Sequence, residues 1–219
     1  MAPRSDAASL AELLSQDKEE IAARAATDEA VLKALFEALS GDKRAHRVAA
    51  ARALHALAIK EPAALKGHGA ELADALDRPE AQTRWEILGA LEKVVNTDGR
   101  IVDKAIAPAT TALHDAESGV VRLAAFRLLA AYGATTSHRS EKVWPVLSEA
   151  VRVYHGDPEF PAMLIGLIRL VSGNAADSVK IDAAERMSFD AENAKGLIGQ
   201  RARRIVACAP KKGRSARKA

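Results

Sequence analysis

The sequence predicts an all-α fold, a right-handed α-solenoid in which about five to six helix pairs stack on one another. Leu39, Leu76 and Leu113 each end a helical pattern and lie 37 residues apart. Apolar residues at helical spacing alternate with short breaks from about residue 8 to residue 207, and no alternating strand pattern persists beside turn signals. A helical repeat of this length is typical of stacked hairpins that share one continuous core.

The composition predicts a thin aliphatic core, because hydrophobic residues make up 48% of the chain and aromatic residues only 4%. The single cysteine, Cys208, excludes an intrachain disulfide and suits a reducing compartment. The N-terminus lacks the apolar segment of a secretory signal, so we expect a cytoplasmic protein. The longest apolar run, Met163 to Val171, is too short to span a bilayer and contains Arg169.

Local signals place the helices of the first half. Thr27 or Asp28 supplies an N-cap for a helix that runs to Leu39, and Pro62 ends the helix that follows. Asp77 is expected to cap the next inner helix, with Pro79 in its first turn. The predicted helices cover residues 9–16, 17–26, 28–39, 43–59, 65–76, 80–95, 101–113, 117–133, 143–154, 160–171, 177–187 and 190–207.

Turn residues divide the second half. Gly133 ends one helix, the tripeptide 156–158 separates the helices of the fourth unit, and the tripeptide 172–174 closes it. The last two helices are expected to cover the end of the stack. We therefore predict a disordered N-terminus at 1–7, a solenoid at 8–207 and a disordered basic tail at 208–219.

The repeated unit resembles the HEAT-repeat family of α-solenoids. The segment 115–129 carries the resemblance most closely, and the likeness extends over about residues 28–172. The features that match are a proline in the outer helix, an aspartate at the turn and an arginine early in the inner helix: Pro108 and Pro145; Asp42, Asp77 and Asp115; Arg47, Arg84 and Arg122. The resemblance implies an outer and an inner helix in each unit and implies little about function. The fourth unit departs from it, since it has Asp157 and no arginine at the matching place.

The Asp and Arg series has two interpretations. The turn aspartates can cap the inner helices while the arginines reach a neighbouring unit, which gives a ladder that fixes the stacking. Alternatively, Arg84 or Arg122 contacts a ligand.

Enzymatic readings find little support in the sequence. The six histidines lack metal-ligand spacing and none precedes a glutamate, as it does in HEAT-type iron hydroxylases, so we expect no metal and no cofactor. A HEAT-like alkylpurine DNA glycosylase needs an aromatic cleft, but Trp85 falls on an inward stripe where core packing is expected, and packing is also expected of Trp144. No phosphate loop or nucleophile motif is present, which indicates that the chain is not an enzyme.

Positive charge is concentrated at the C-terminus. Nine of the 32 Lys and Arg residues follow Glu192, and no acidic residue does, so residues 1–193 carry a net charge of −6 and the remainder +9. Such a segment can bind a polyanion, fold back on the acidic body or only aid solubility. The candidate polyanion-binding residues are Arg201, Arg203, Arg204, Lys211, Lys212, Arg214, Arg217 and Lys218.

The leading functional hypothesis is a non-enzymatic scaffold that binds another protein on the concave face formed by the inner helices. The candidate partner-binding residues are Arg44, Arg52, Glu86, Lys93 and Arg127. The alternative is a nucleic-acid-associated protein that uses its basic end. The apolar helix from Phe160 to Val171 allows a homodimer as well as a monomer, because burial under the terminal helices explains it equally well.

Overall fold

The computed structural model describes residues 4–97 and 99–210, and within these ranges every regular element is a helix. The α-helices are α1 Arg4–Ser15, α2 Lys18–Ala25, α3 Glu29–Ser40, α4 Arg44–Lys60, α5 Gly69–Asp74, α6 Ala81–Val94, α7 Gly99–Val102, α8 Ile106–Leu113, α9 Gly119–Gly133, α10 Ser137–Val153, α11 Phe160–Ser172, α12 Asp177–Asn193 and α13 Gly196–Ala207. The all-α solenoid prediction is confirmed, with about six hairpins in the described ranges.

The helical region that the structure describes extends from Arg4 to Ala207. Helix α1 begins at Arg4, inside the segment 1–7 that we expected to be disordered, and α13 ends at Ala207 as predicted. Residues 208–210 of the predicted tail are described and follow the last helix, and the remaining residues that we expected to be disordered, 1–3 and 211–219, lie outside the described residues.

The chain divides into two compact units within α9, one ending at Leu128 and the other beginning at Leu129. In the first unit, α3 and α2 pack on α4, and α4 packs on α6. The core between these helices is aliphatic, as the composition predicts: Leu54, Leu57, Leu88 and Leu91 are fully buried. Helices α4, α6 and the first part of α9 are the inner helices of successive repeats, and α5, α7 and α8 belong to the outer layer.

The outer segment at 65–76 is not the single helix that the sequence predicts. It consists of a 3-10 turn at Pro62–Leu65, α5, and a second 3-10 turn at Ala75–Asp77. Gly67 interrupts the helix with a φ of +97°, a backbone angle that residues with a Cβ atom rarely adopt. Gly69 then begins α5 so close to the next repeat that a Cβ atom there would lie 2.4 Å from the carbonyl oxygen of Ile101.

The next outer segment, predicted as one helix at 101–113, is also divided. Helix α7 is followed by a 3-10 turn at Asp103–Ala105, and α8 restarts at Ile106. The restart places Pro108 in the first turn of α8, where the backbone donor that proline lacks would have no intrahelical partner. Pro108 is therefore compatible with the start of α8, whereas Pro145, the other proline that marks the repeat, lies inside α10.

The prediction that Asp77 caps α6 is wrong. The N-cap of α6 is Glu80, and Asp77 ends the preceding 3-10 turn. Pro79 explains the shift, because Arg78 before it is held in an extended conformation with ψ 144° and cannot enter a helix.

The carboxylate of Glu80 instead takes part in the first contact of the predicted ladder. The guanidinium of Arg47 donates to both carboxylate oxygens of Glu80 and to the carbonyl oxygens of Gly41 and Asp42, at 2.9 and 2.7 Å. Both side chains are about nine-tenths buried. The hydrogen bonds from Arg47 outweigh burial and lower the pKa of Glu80 below its ordinary value of 4.5.

The second contact joins the residues that the ladder hypothesis names. Arg84 on α6 donates to Asp115 Oδ2 at 2.5 Å, and the other oxygen of Asp115 accepts from the amides of Glu117 and Ser118 at 2.9 and 2.8 Å. Burial acts to raise the pKa of Asp115, but these hydrogen bonds outweigh it and leave the pKa lower than usual. Arg122 donates to the carbonyl oxygen of Asp115, in the turn that precedes α9, so this contact does not join two repeats.

The second unit contains α10 to α13. Helix α12 continues to Asn193, past the break that we predicted at 188–189. Asp190, in its last turn, is buried and lies 3.1 Å from Nε2 of His155. The chain then turns at Gly196, where φ is +63°.

Most of the apolar surface of α11 is buried inside this unit, where α11 packs on α13 and α12. Met163, Leu164 and Leu167 are fully buried, whereas Ile165 is 52% exposed. Burial under the terminal helices thus accounts for most of this apolar helix, and the oligomeric state stays a prediction. None of the described helices combines the length and the apolar character that a membrane crossing requires.

We expect Glu80→Gln to lower the free energy of unfolding at neutral pH by about 3 kcal/mol, since it leaves the buried Arg47 without a charged partner. A carboxylate with a lowered pKa stabilises the fold above its unfolded pKa, and that stability is lost as the pH falls through the folded pKa. The difference between wild type and variant should therefore shrink below about pH 4. Urea unfolding followed by circular dichroism measures both effects.

The matched control is Glu37→Gln, which removes an exposed carboxylate that pairs with Lys33 at 3.8 Å. It should change the free energy of unfolding by less than about 1 kcal/mol. Equal effects of the two substitutions would show that the buried contact does not stabilise the stack.

Candidate functional site

A groove opens on the inner helices of the first unit and has a volume of about 340 Å³. We call it the inner groove. It is lined by residues from α4, α6 and the start of α9: His55, Ile59, Trp85, Gly89, Glu92, Lys93, Val120, Leu123, Ala124 and Arg127. The α6 residues recur three or four positions apart, as do those of α9, so each helix presents one face to the groove.

Large apolar side chains are exposed in the inner groove. Ile59 is 59% exposed and Val120 is 54% exposed, and Trp85 is partly exposed. Exposed apolar side chains grouped in a concave site and surrounded by charges are characteristic of surfaces that bind a partner.

A close approach between α4 and α6 forms part of the groove wall. A Cβ atom on Gly89 would lie 2.6 Å from Cε1 of His55, so only glycine allows the imidazole to lie against α6 here. The Nδ1 atom of His55 lies 2.6 Å from Oε2 of Glu86. Because an ionised carboxylate only accepts hydrogen bonds, Nδ1 is the donor.

A second pair crosses from α6 to α9. Arg127 lies 3.3 Å from Glu92 Oε2, and the carboxyl side chain is only 10% exposed whereas the arginine is 45% exposed. Both acidic groups at the groove, Glu86 and Glu92, are therefore largely buried and engaged by a neighbouring helix.

The structure brings together only part of the predicted partner-binding set. Lys93 and Arg127 line the inner groove, and Glu86 lies beneath it, bonded to His55. Arg44 and Arg52 are exposed on α4 outside the lining. They share one face of α4 with the groove residues His55 and Ile59, because the spacings of 8, 3 and 4 residues correspond to about two, one and one helical turns.

Sequence reasoning misplaced one groove residue and overlooked others. Trp85 was expected in the core, but it is only partly buried and lines the groove, while Leu88 and Leu91 are fully buried. Trp85 lies four residues before Gly89 and eight before Lys93, and this spacing could have indicated that the three residues share a solvent-facing side of α6. Ile59 and Val120 carried no comparable signal, since an apolar residue at a helix end is also typical of a core.

A larger cleft, of about 490 Å³, lies between α3 and α5 in the outer layer of the same unit. We call it the outer cleft. Phe36 and His68 stack inside it with ring centroids 4.1 Å apart. Its charged lining residues are mainly acidic: Glu29, Glu37, Glu71 and Asp74 against Lys33 and Arg78.

The predicted polyanion-binding residues fall into two groups. Arg201 donates to the carbonyl oxygen of Pro161, and Arg203 donates to that of Ala191 at 3.1 Å, so both stabilise α13 against the rest of the second unit. Arg204 is exposed. Lys211, Lys212, Arg214, Arg217 and Lys218 lie outside the described residues.

Groups that would serve catalysis do not converge in the described part of the chain. No cluster of three or more His, Cys, Asp or Glu residues there is placed to hold a metal. Trp144 is 7% exposed and its Nε1 donates to Asp182 at 3.3 Å, which matches the expected packing role. The described lining of the inner groove includes no hydroxyl or thiol group that the His55–Glu86 pair could activate.

Comparison with solved structures identifies the fold. The chain is similar to a designed armadillo repeat protein in complex with the peptide (KR)4, with a TM-score of 0.70, 18% identity, and 94% of this chain and 92% of that chain covered. It is also similar to a computationally designed armadillo repeat protein for modular peptide recognition, with a TM-score of 0.66, 16% identity, and 92% and 99% covered. The fold is therefore an armadillo/HEAT-like helical repeat. No family model matches the sequence, and no curated protein matches it.

Gly89→Ala should lower the free energy of unfolding in the wild-type background and raise it in a His55→Ala background. In wild type the new methyl group must displace the His55 ring and break its bond with Glu86. In a His55→Ala background the methyl group has room, and replacing glycine in a helix should raise the free energy of unfolding by about 0.5–1 kcal/mol. Urea unfolding of the four proteins gives the coupling energy. The same gain in both backgrounds would contradict the close approach.

Arg201→Ala should lower the free energy of unfolding by about 0.5–1.5 kcal/mol, because it removes the hydrogen bond that Arg201 donates to the carbonyl oxygen of Pro161 in the first turn of α11. Arg204→Ala removes the same charge from an exposed position and should change it by less than about 0.5 kcal/mol. Thermal unfolding of both variants measures the difference. Equal stabilities would indicate that Arg201 is available for binding a polyanion.

Proposed function

We propose that this chain is a non-enzymatic scaffold that binds a segment of another protein in the inner groove. The observation that carries the proposal is the exposure of Ile59 and Val120 beside Trp85, within a groove built by three inner helices. A side chain of the partner that fills this space would remove apolar surface from water, which is the main favourable contribution to such binding.

The size of the groove determines what it holds. A volume of about 340 Å³ lies at the lower end of the range for ligand pockets, about 300–1,000 Å³. It suits one or two side chains of a longer segment, whose backbone would cross the inner helices. The designed proteins of the same fold include one in complex with a peptide and one made for peptide recognition, which supports a peptide as the ligand class.

The chemistry of the groove favours binding over catalysis. His55 and Glu86 form a pair of the kind that activates a nucleophile, but the described lining supplies no hydroxyl or thiol group. The pair instead supplies a hydrogen-bond partner for a buried carboxyl group where α4 and α6 meet.

The proposal is tested by selecting peptides of about 12 residues from a displayed random library and measuring their affinities by fluorescence anisotropy. We expect Trp85→Ala to weaken the selected peptides by at least about tenfold, because buried tryptophans are frequent hot spots at interfaces. A second readout uses Trp144→Phe, which leaves Trp85 as the only tryptophan of the two in the sequence. Its emission should shift to shorter wavelength when a peptide binds.

Phe189→Ala is the matched control, since Phe189 is an aromatic residue on the second unit that is 73% exposed. It should leave the affinities unchanged. Peptides that bind equally to Trp85→Ala, or that lose affinity only with Phe189→Ala, would exclude the inner groove as the binding site.

A further inference from the structure

Around the inner groove, the acidic side chains are largely buried and the basic side chains are more exposed. Its carboxylates, Glu86 and Glu92, have side chains that are 8% and 10% exposed, and each is bonded to a basic residue of a neighbouring helix. A ligand would therefore meet little negative charge on this surface.

The basic side chains on the same surface are more accessible. Arg44 and Arg52 are exposed on the α4 face that carries His55 and Ile59, and Lys93 lines the groove. None of these three has a carboxylate oxygen within 4 Å among the residues that the structure describes, although Arg44 lies close enough to Glu80 to help lower the pKa of that carboxyl group. Arg127 is 45% exposed although it contacts Glu92, so it adds a fourth positive group at the α9 side.

The outer layer of the same unit has the opposite character. The outer cleft is lined by four carboxylates and two basic residues. The two concave sites of this unit therefore differ in the sign of their accessible charge, which does not follow from the overall composition of the unit.

We propose that the inner groove selects an acidic extended segment of a partner protein, with one apolar residue held against Ile59, Trp85 and Val120. This inference rests on the proposed function and adds the class of partner. Asp or Glu residues that flank the apolar residue would lie near Arg44 and Arg52 on one side and near Lys93 and Arg127 on the other. Complementary charge at the rim of an interface increases the association rate and discriminates between partners, while the apolar contact supplies most of the affinity.

The test uses three fluorescein-labelled nine-residue peptides, each with a central leucine. The flanking residues are Asp and Glu in the first, Ser and Asn in the second, and Lys and Arg in the third. At about 50 mM salt, we expect the acidic peptide to bind at least about tenfold tighter than the neutral one and the basic peptide to bind most weakly. The preference should decrease severalfold at about 200 mM salt, because exposed charges are screened.

Two double variants locate the preference. Arg44→Gln with Arg52→Gln should remove most of the advantage of the acidic peptide over the neutral one. Lys66→Gln with Lys104→Gln removes two positive charges from exposed positions of the outer layer and should preserve that advantage. Trp85→Ala should weaken the acidic and neutral peptides by similar factors.

The outcomes separate the two proposals. If the neutral or the basic peptide binds best and still depends on Trp85, the groove binds peptides but the acidic preference is wrong. If no peptide depends on Trp85, the proposed function is excluded as well. Tighter binding of a single-stranded oligonucleotide, weakened by the Arg44 and Arg52 variant, would replace the peptide with a nucleic acid as the ligand of this surface.

Discussion

Two arginine to carboxylate pairs, one buried and one partly buried, determine how successive inner helices are aligned. Arg47 on α4 holds the residue that begins α6, and Arg84 on α6 holds Asp115 in the turn before α9. Displacement of α4 or α6 by a turn would leave a buried charge of the Arg47–Glu80 pair without its partner, at a cost of about 3–5 kcal/mol, and displacement of α6 or α9 would break the less enclosed Arg84–Asp115 pair. The inner groove depends on this alignment, because its apolar surface is assembled from Ile59, Trp85 and Val120, one from each helix.

The sequence predicted the repeat and most breaks between helices, because both are recorded in local features such as the 37-residue spacing and the turn residues. It failed where two local signals compete. Asp77 is a good capping residue, but Pro79 fixes Arg78 in an extended conformation and moves the start of α6 beyond it. In the outer layer, Gly67 interrupts a pattern whose apolar spacing is otherwise helical. Spacing alone therefore predicted the inner helices better than the outer ones.

The candidate site was less predictable, since it depends on which side of each helix a neighbour covers. Trp85 lies three residues before Leu88 and six before Leu91, so we expected all three to share one buried face. The two leucines are buried as expected, but Trp85 faces the groove. The approach of His55 to Gly89 joins residues 34 positions apart and has no local signature. By contrast, Lys93 and Arg127 were predicted at the groove because charged residues at regular helical positions seldom lie in a core.

The same dependence on packing explains how an acidic region can present a positive surface. Residues 1–193 carry a net charge of −6, which taken alone would favour a basic ligand. Burial changes this expectation, because a carboxylate that is nearly enclosed and paired with a neighbouring helix contributes little to the potential outside, while an exposed arginine contributes fully. At the inner groove the enclosed groups are Glu86 and Glu92 and the exposed ones are basic. The sign of the binding surface is therefore set by which charged side chains the packing encloses, since the enclosed carboxylates contribute little while the exposed basic groups remain accessible to a ligand.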